Sequence, residues 1–522
     1  MGMILGLSKI DGTSDRRLDG ASAVSVIATP DDSRALVLVS SRTGDQISKV
    51  GLTSNGVLSV DRAGLKDGQG ELRGAGDSVI TKIGDTSVLI STASFDNAVT
   101  ISSFGKFGRM SPVIHIKDDV VFDDPEAGVI SSNGGRKMSL FNADSVDAFS
   151  VGDKPYFVVG GSFDDGVSLF TFDLEGGATL LSNRFDNAFL HLDGVEDVAH
   201  VDLGGRHFVI AVSPNEQGVS VMRLTKIDTL FNTFNIASGP ELSLGVLTSV
   251  ETAVIGNSAF VFVGGFGNAP ITVFELSTKG KLDLVQRVTD DDAANIGRLF
   301  SMEVFEIGDR TYVAAGGDRG AISVFQVGEN GTLTLTAEFE GVNTRRADPT
   351  TDIAVHQFGE KTVLIASGQD GDGIATYRFF EDAAGITRIG DEGRDNLKGR
   401  EKGDILVGDA GNDRLKGKAG HDRILDGEGK DLMWGGSGRD VFEFVQDNTK
   451  DKIQDFENGR DLIDLSGFVE RFSDLEIEEI SDGVIGITHE SEVFIVKGFK
   501  NAPLTVDMFD SSDFVFIEDQ FL

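Results

Sequence analysis

The chain has 522 residues and no cysteine, and 84 Asp and Glu against 47 Lys and Arg give it a formal charge of −37. Its 40% hydrophobic content is enough for buried cores, so this length predicts two to four folded domains rather than acidic disorder. The charge repels phosphate backbones and anionic headgroups, which excludes nucleic-acid and polybasic membrane docking as expected functions and makes cations the natural partners. Disulfides, thiolate metal sites and Cys nucleophiles are also excluded. The opening MGMILGLSKIDGTSDRR has no basic region and only a broken apolar run, so no cleaved secretory leader is expected. No run of 18 apolar residues predicts a transmembrane segment.

Two internal repeats follow in chain order. The first has a long period, clearest in VDAFSVGDKPYFVVGGSFDDGVSLFTFDLEGGATLL from Val146, in the copy from Val250 and in that from Met302. Weaker copies begin near Val24, Val79, Val195 and Asp352. Turn glycines Gly84, Gly152, Gly204, Gly256, Gly308 and Gly359 recur about every 52 residues, with one longer gap holding an insertion around 117–145; Pro30-Asp31-Asp32 fills that turn in the first copy. Each unit carries four short β-rich runs separated by Gly-containing turns. Seven such units predict a seven-bladed β-propeller over 1–387, each blade covered on both faces by its neighbours. Either Met3–Ile10 or the run GITRIG at 385–390 is expected to complete the last blade.

The first strand of each blade lines the channel of a propeller. Asp147, Glu251 and Glu303 stand five residues before the turn glycine, and Asp77, Asp197 and Asp352 stand seven before it. Equal parity puts all six on one strand face, where they form an acidic ring that either holds a metal ion or lines a wet channel mouth. His200 and His356 fall on first strands and read as ordinary strand histidines.

The second repeat has a period of nine. Asp395, Asp404, Asp413, Asp422, Asp431 and Asp440 recur without a slip in the frames GDEGRDNLK, GREKGDILV, GDAGNDRLK, GKAGHDRIL, DGEGKDLMW and GGSGRDVFE. Glycines allow a tight turn that points carbonyls inward, the Asp supplies charge, and the last three residues alternate as a short strand. Two frames make one coil, so turns two frames apart stack, and calcium, which takes six to eight oxygens, fits between them. Stacked aspartates repel without the ion, so calcium binding and folding are expected to be coupled. Residues 390–522 hold 32 acidic and 16 basic residues, over twice the net negative charge per residue of the rest.

Those frames resemble the repeat-in-toxin (RTX) family, whose nonapeptides build a parallel β-roll. The resemblance implies a roll over 388–446 and, residue by residue, four calcium sites. The first pairs Asp391, Gly393 and Asp395 with Gly408, Ala410 and Asp413. The second pairs Arg400, Lys402 and Asp404 with Gly417, Ala419 and Asp422, where two cationic residues replace glycines and weaken the site. The third pairs Asp409, Gly411 and Asp413 with Asp426, Glu428 and Asp431. The fourth pairs Lys418, Gly420 and Asp422 with Gly435, Ser437 and Asp440. His421 reads as a solvated frame residue and Trp434 as a cover for the roll.

After the roll, DKIQDFENGRDLIDLSGF from Asp451 is similar to the C-terminal cap of RTX proteins and serralysin-type proteases. That implies a β-rich cap over 447–522 carrying an uncleaved signal read by a type I secretion exporter, and hence a secreted, extracellular or cell-surface location. The protease motif H-E-x-x-H of serralysins is absent, as are a nucleophile elbow and a P-loop. Runs such as YFVVGG and GVSLFTFD resemble, more loosely, lactonase-type propellers. Two functions are therefore expected as alternatives: a calcium-binding platform for a surface glycan or protein ligand, or a calcium-dependent, lactonase-like hydrolase using the channel carboxylates.

Overall fold

A computed structural model describes residues 3–10, 18, 21–28, 34–42, 45–53, 58–66, 73–84, 86–104, 110–117, 140–187, 189–240, 242–267, 270–289, 296–318, 322–339, 350–358, 361–368, 373–380, 387–391, 393–469 and 471–516. Among them the helices are single 3-10 turns near the C-terminus, and nearly everything else regular is strand. Gly359, the Pro30–Asp32 turn and most of the insertion near 117–145 lie outside the described residues.

Seven antiparallel four-stranded sheets follow one another. Blade 3 is typical, with strands Ala143–Val151, Lys154–Gly161, Gly166–Asp173 and Gly177–Phe185 paired in sequence order. The first strands touch in a closed circle, that of blade 1 (Ala21–Ala28) lying against that of blade 7 (Thr350–Phe358). The second strands, such as Lys154–Gly161, read as unbroken apolar runs because both faces are covered. A separate apolar cluster fills the seam between each pair of successive blades. At the seam of blades 4 and 5, for instance, Phe208, Ile210 and Val221 meet Val250, Val261 and Phe274.

The ring is closed by the N-terminus. Met3–Ile10 pairs antiparallel with Gly373–Phe380 and forms the outer strand of blade 7. The competing run near 385–390 does something else, since Thr387–Ile389 opens the roll.

The roll alternates between two parallel sheets. Asn396–Lys398 pairs with Arg414–Ala419, and Ile405–Val407 with Arg423–Leu425, each in a register of 18 residues, or two frames. One apolar residue per frame points inward, giving a file of Leu397, Leu406, Leu415, Ile424, Met433 and Phe442. Lys450–Phe456 and Leu462–Asp464 then extend the two sheets beyond the nonapeptides. The sheet holding Lys450–Phe456 continues into Glu492–Gly498, Val484–His489 and Glu476–Ser481, which share the roll's core through Phe494, Val496 and Ile487.

Blade 7 and the roll meet through a buried ion cluster. Arg378 of the Gly373–Phe380 strand donates to Glu443 of the roll, and Lys361 lies 3.8 Å from Glu443 and 3.6 Å from Asp464. Arg423 lies 3.5 Å from Glu443 and 3.8 Å from Asp464. Burial would raise the Glu443 carboxyl, but Arg378 and Lys361 hold it below its ordinary range.

Candidate calcium sites and the propeller channel

In the roll, the frame aspartates are stacked by hydrogen bonds two frames long. The backbone N–H of Asp395 donates to Asp413 Oδ1 at 2.8 Å, Asp404 to Asp422 at 2.7 Å, Asp413 to Asp431 at 2.6 Å and Asp422 to Asp440 at 2.9 Å. The ladder runs past the nonapeptides, with Asp431 donating to Asp451 and Asp440 to Asp461. Each of these carboxylates spends one oxygen on the ladder. The second oxygen, Oδ2, of Asp413, Asp422, Asp431 and Asp440 is buried with no hydrogen-bond partner, as is that of Asp426. Such atoms are costly unless a cation meets them, so the donor set fits calcium, a hard ion that prefers carboxylate and carbonyl oxygen. Burial, with repulsion from neighbouring carboxylates, raises Asp422, Asp431 and Asp451 to about 7.

The first residue of each frame explains one glycine requirement. A Cβ on Gly417 would come within 2.2 Å of Asp422 Oδ2, and one on Gly435 within 2.3 Å of Asp440 Oδ2, so the aspartate folds back over its own frame only where that position is bare. Frame five carries Asp426 there instead. Its Oδ1 accepts from Gly427 and Val445, and its carboxylate joins those of Asp431 and Asp451 in a cluster of potential ligand atoms all within 4.8 Å of one another.

Of the expected carbonyl ligands, those of Asp409 and Glu428 accept backbone N–H groups from Glu428 and Gly411 across the stack, and Ser437 accepts from Gly420. Gly393, Gly408, Ala410, Gly411, Gly417, Ala419, Gly420 and Gly435 occupy the stacked turns at their expected frame positions. Asp391, Arg400 and Lys402 are exposed, while Asp404 beside the last two is buried. His421 is also exposed, yet its Nδ1 accepts the Arg439 N–H at 2.8 Å and so clips two coils together. Trp434 lies under Lys416, whose Nζ is 4.4 Å from the ring centre.

In the propeller, Asp77, Asp147, Asp197, Glu251, Glu303 and Asp352 all line one channel of about 560 Å³. Four of them hold neighbouring blades. The residue seven before the turn glycine accepts the N–H of the next blade's first strand: Asp77 from Val146 (2.9 Å), Asp197 from Val250 (2.8 Å) and Asp352 from Val24 (2.8 Å). At three other seams a serine does the same, Ser145 for Val198, Ser249 for Met302 and Ser301 for Ile353. Asp147 accepts the His200 N–H two residues lower. Glu251 and Glu303, adjacent at that lower level, make no such cross-blade bond among the described contacts.

Enclosure in the channel, reinforced by mutual repulsion, raises Asp352 to about 7, Asp197 and Glu303 to about 8, and Glu251 well above its ordinary value. His200 also lines the channel but stacks on Phe149 at 3.8 Å and meets His207 at 3.0 Å, and burial lowers it to about 3, so it is neutral. Among the described residues, compact groups of metal-type ligands occur where the roll meets the cap and not in the channel. Sequence spacing missed Asp447, Asp451, Asp461 and Glu492, which lie off the nine-residue period.

A family model of the RTX calcium-binding nonapeptide repeat matches residues 389–424 and 407–442. The fold and the site thus define a seven-bladed propeller joined to a calcium-binding roll, and the segment 389–442 is made of RTX repeats. No curated protein matches the chain. Among solved structures it is similar to one described as a candidate 6-phosphogluconolactonase from Bacteroides uniformis, at 13% identity and TM-score 0.43, covering 60% of this chain and 83% of that one. It is also similar to a protein from Lactobacillus plantarum, at 9% identity and TM-score 0.45, covering 73% and 99%. No helix of the described residues is long and apolar enough to cross a membrane.

Proposed function

We propose that this is a secreted protein whose roll folds on calcium outside the cell and whose propeller is a binding platform for a surface glycan or protein. The file of buried, unpartnered Oδ2 atoms carries the calcium half of this reading: the folded roll leaves such an oxygen in each of the last four frames, where a cation would satisfy it. Export through a type I exporter fits a chain that stays loose at low cytosolic calcium and is stapled by millimolar calcium afterwards. The platform half rests on the end of the propeller where the first strands start. There Phe95 and Phe163 stand 60% and 61% exposed in the turns after the second strands of blades 2 and 3, and Ser162, next to Phe163, donates to Asp144 at the channel mouth, which also pairs with Arg42. Exposed aromatics next to a charged pocket are a recognition surface.

Two measurements test the reading. Calcium added to the chelated protein should produce a gain of β circular dichroism, and Asp413→Asn with Asp431→Asn should raise the half-maximal calcium concentration at least tenfold. No calcium response would sink the calcium half. Replacing Phe95 and Phe163 by Ala should abolish binding to calcium-treated cell surfaces or glycan arrays while leaving that response unchanged.

A second reading, lactone hydrolysis in the channel, is favoured by one observation: adjacent Glu251 and Glu303 hold raised carboxyls suited to proton transfer. Unchanged lactonase turnover in Glu251→Gln and Glu303→Gln would end it.

A further inference from the structure

We propose a further calcium site, outside the nonapeptide frames, formed by Asp447, Asp451 and Glu492. It deepens the calcium reading of the roll and rests on it. The three carboxylates offer ligand oxygens that all lie within 4.8 Å of one another. They come from separate parts of the chain: Asp447 from the loop after the last nonapeptide, Asp451 from the strand Lys450–Phe456, and Glu492 from the first position of the strand Glu492–Gly498.

The arrangement is built rather than incidental. Glu492 has no exposed surface; its Oε1 accepts the Asn448 N–H, while Oε2 is buried without a hydrogen-bond partner. That orphan atom is independent of the clustering and points to a ligand, since an uncompensated buried carboxylate oxygen is among the costliest groups a fold can hold. Asp447 is fixed by the N–H groups of Thr449, at 2.9 Å, and of Gly429. Asp451 gives Oδ1 to the Asp431 N–H and keeps Oδ2 for a 3.4 Å contact with the Thr449 hydroxyl. All three side chains are thus held in place by hydrogen bonds from the chain itself.

Three carboxylates with a nearby hydroxyl make the hard, multi-oxygen, charge-rich donor set that calcium selects. Location gives the site a task different from the frames. Glu492–Gly498 pairs parallel with Lys450–Phe456 and antiparallel with Val484–His489, so it is the seam at which the repeat ladder hands over to the cap. An ion here clamps cap to roll. It also shares Asp451 with the Asp426–Asp431–Asp451 group, so one carboxylate bridges the last frame site and the clamp.

The test counts calcium ions bound per full-length chain at saturation, by equilibrium dialysis, alongside the calcium-induced circular dichroism change. Glu492→Gln and Asp447→Asn should each bind one ion fewer than the unmodified protein, keep the dichroism gain, and lose hydrogen-exchange protection over residues 484–498. Unchanged ion counts in both variants would overturn the clamp while leaving calcium binding by the frames intact. If Glu492→Gln fails to fold, the Asp447→Asn count decides. An unmodified protein that binds no calcium would overturn the roll reading and the clamp together.

Discussion

Propeller and roll are both acidic, and they handle carboxylates in opposite ways. In the propeller the aspartates at the top of the channel are satisfied from within the chain, each accepting an N–H from the next blade, and serine takes the place of aspartate at three other seams. In the roll Asp413, Asp422, Asp431 and Asp440 are half satisfied, with one oxygen on the ladder and the other unpartnered. The same residue type is therefore an internal staple where blades pack side by side and an incomplete ligand shell where coils stack. The lesson is that acidic periodicity alone does not mark a metal site; the count of donors left over after backbone bonding does.

The largest effect that sharpens this contrast lies where the two regions join. Glu443→Gln leaves Arg378 buried beside a neutral amide, and loss of one partner of a buried pair should cost about 3–5 kcal/mol in denaturant unfolding. Propeller and roll should then melt as two transitions where calcium-loaded protein melts as one; a single unshifted transition would refute the coupling.

Next is the staple itself. Asp197→Ala strands the Val250 N–H and should cost about 1–3 kcal/mol. Asp197→Asn keeps an acceptor and removes the charge, which gives a pH signature. The folded carboxyl titrates at about 8, above the ordinary value of about 4, so the native state binds the extra proton between them and stability falls as pH rises through that window. Asp197→Asn should therefore flatten the decline in propeller stability from pH 5 to 8, measured in chelator. An unchanged slope would mean that the site is not desolvated.

The smallest effect concerns the roll's backbone. Lys418 holds φ at 90° in a frame position where Gly427 and Gly436 adopt 90° and 101°. Lys418→Gly should relieve that strain and stabilise the calcium-loaded roll by about 1 kcal/mol, read from its melting temperature.

Much of this was legible in the sequence. Turn glycines fixed the blade count, parity put six carboxylates into one channel, and the nine-residue spacing set the coil register. What escaped detection broke a period or required the third dimension. Asp451 and Asp461 follow their ladder partners by 20 and 21 residues, not 18, and Glu492 arrives from a hairpin 44 residues after Asn448. The staple serines are too common in strands to stand out. Met3–Ile10 and the run near 385–390 were equally plausible as the closing strand, because a single edge strand has no repeat to betray it.

That closing strand has a consequence for how the molecule comes into being. Met3 is paired with Phe380, so this strand must wait for a partner 377 residues later, a very non-local contact whose formation is slow. The propeller cannot latch progressively as the chain is synthesised, and its hoop stays open until the far end arrives. The same Gly373–Phe380 strand carries Arg378 toward Glu443, so the latch and the roll converge on one strand. Closure of the propeller and docking of the roll therefore both wait on that one strand.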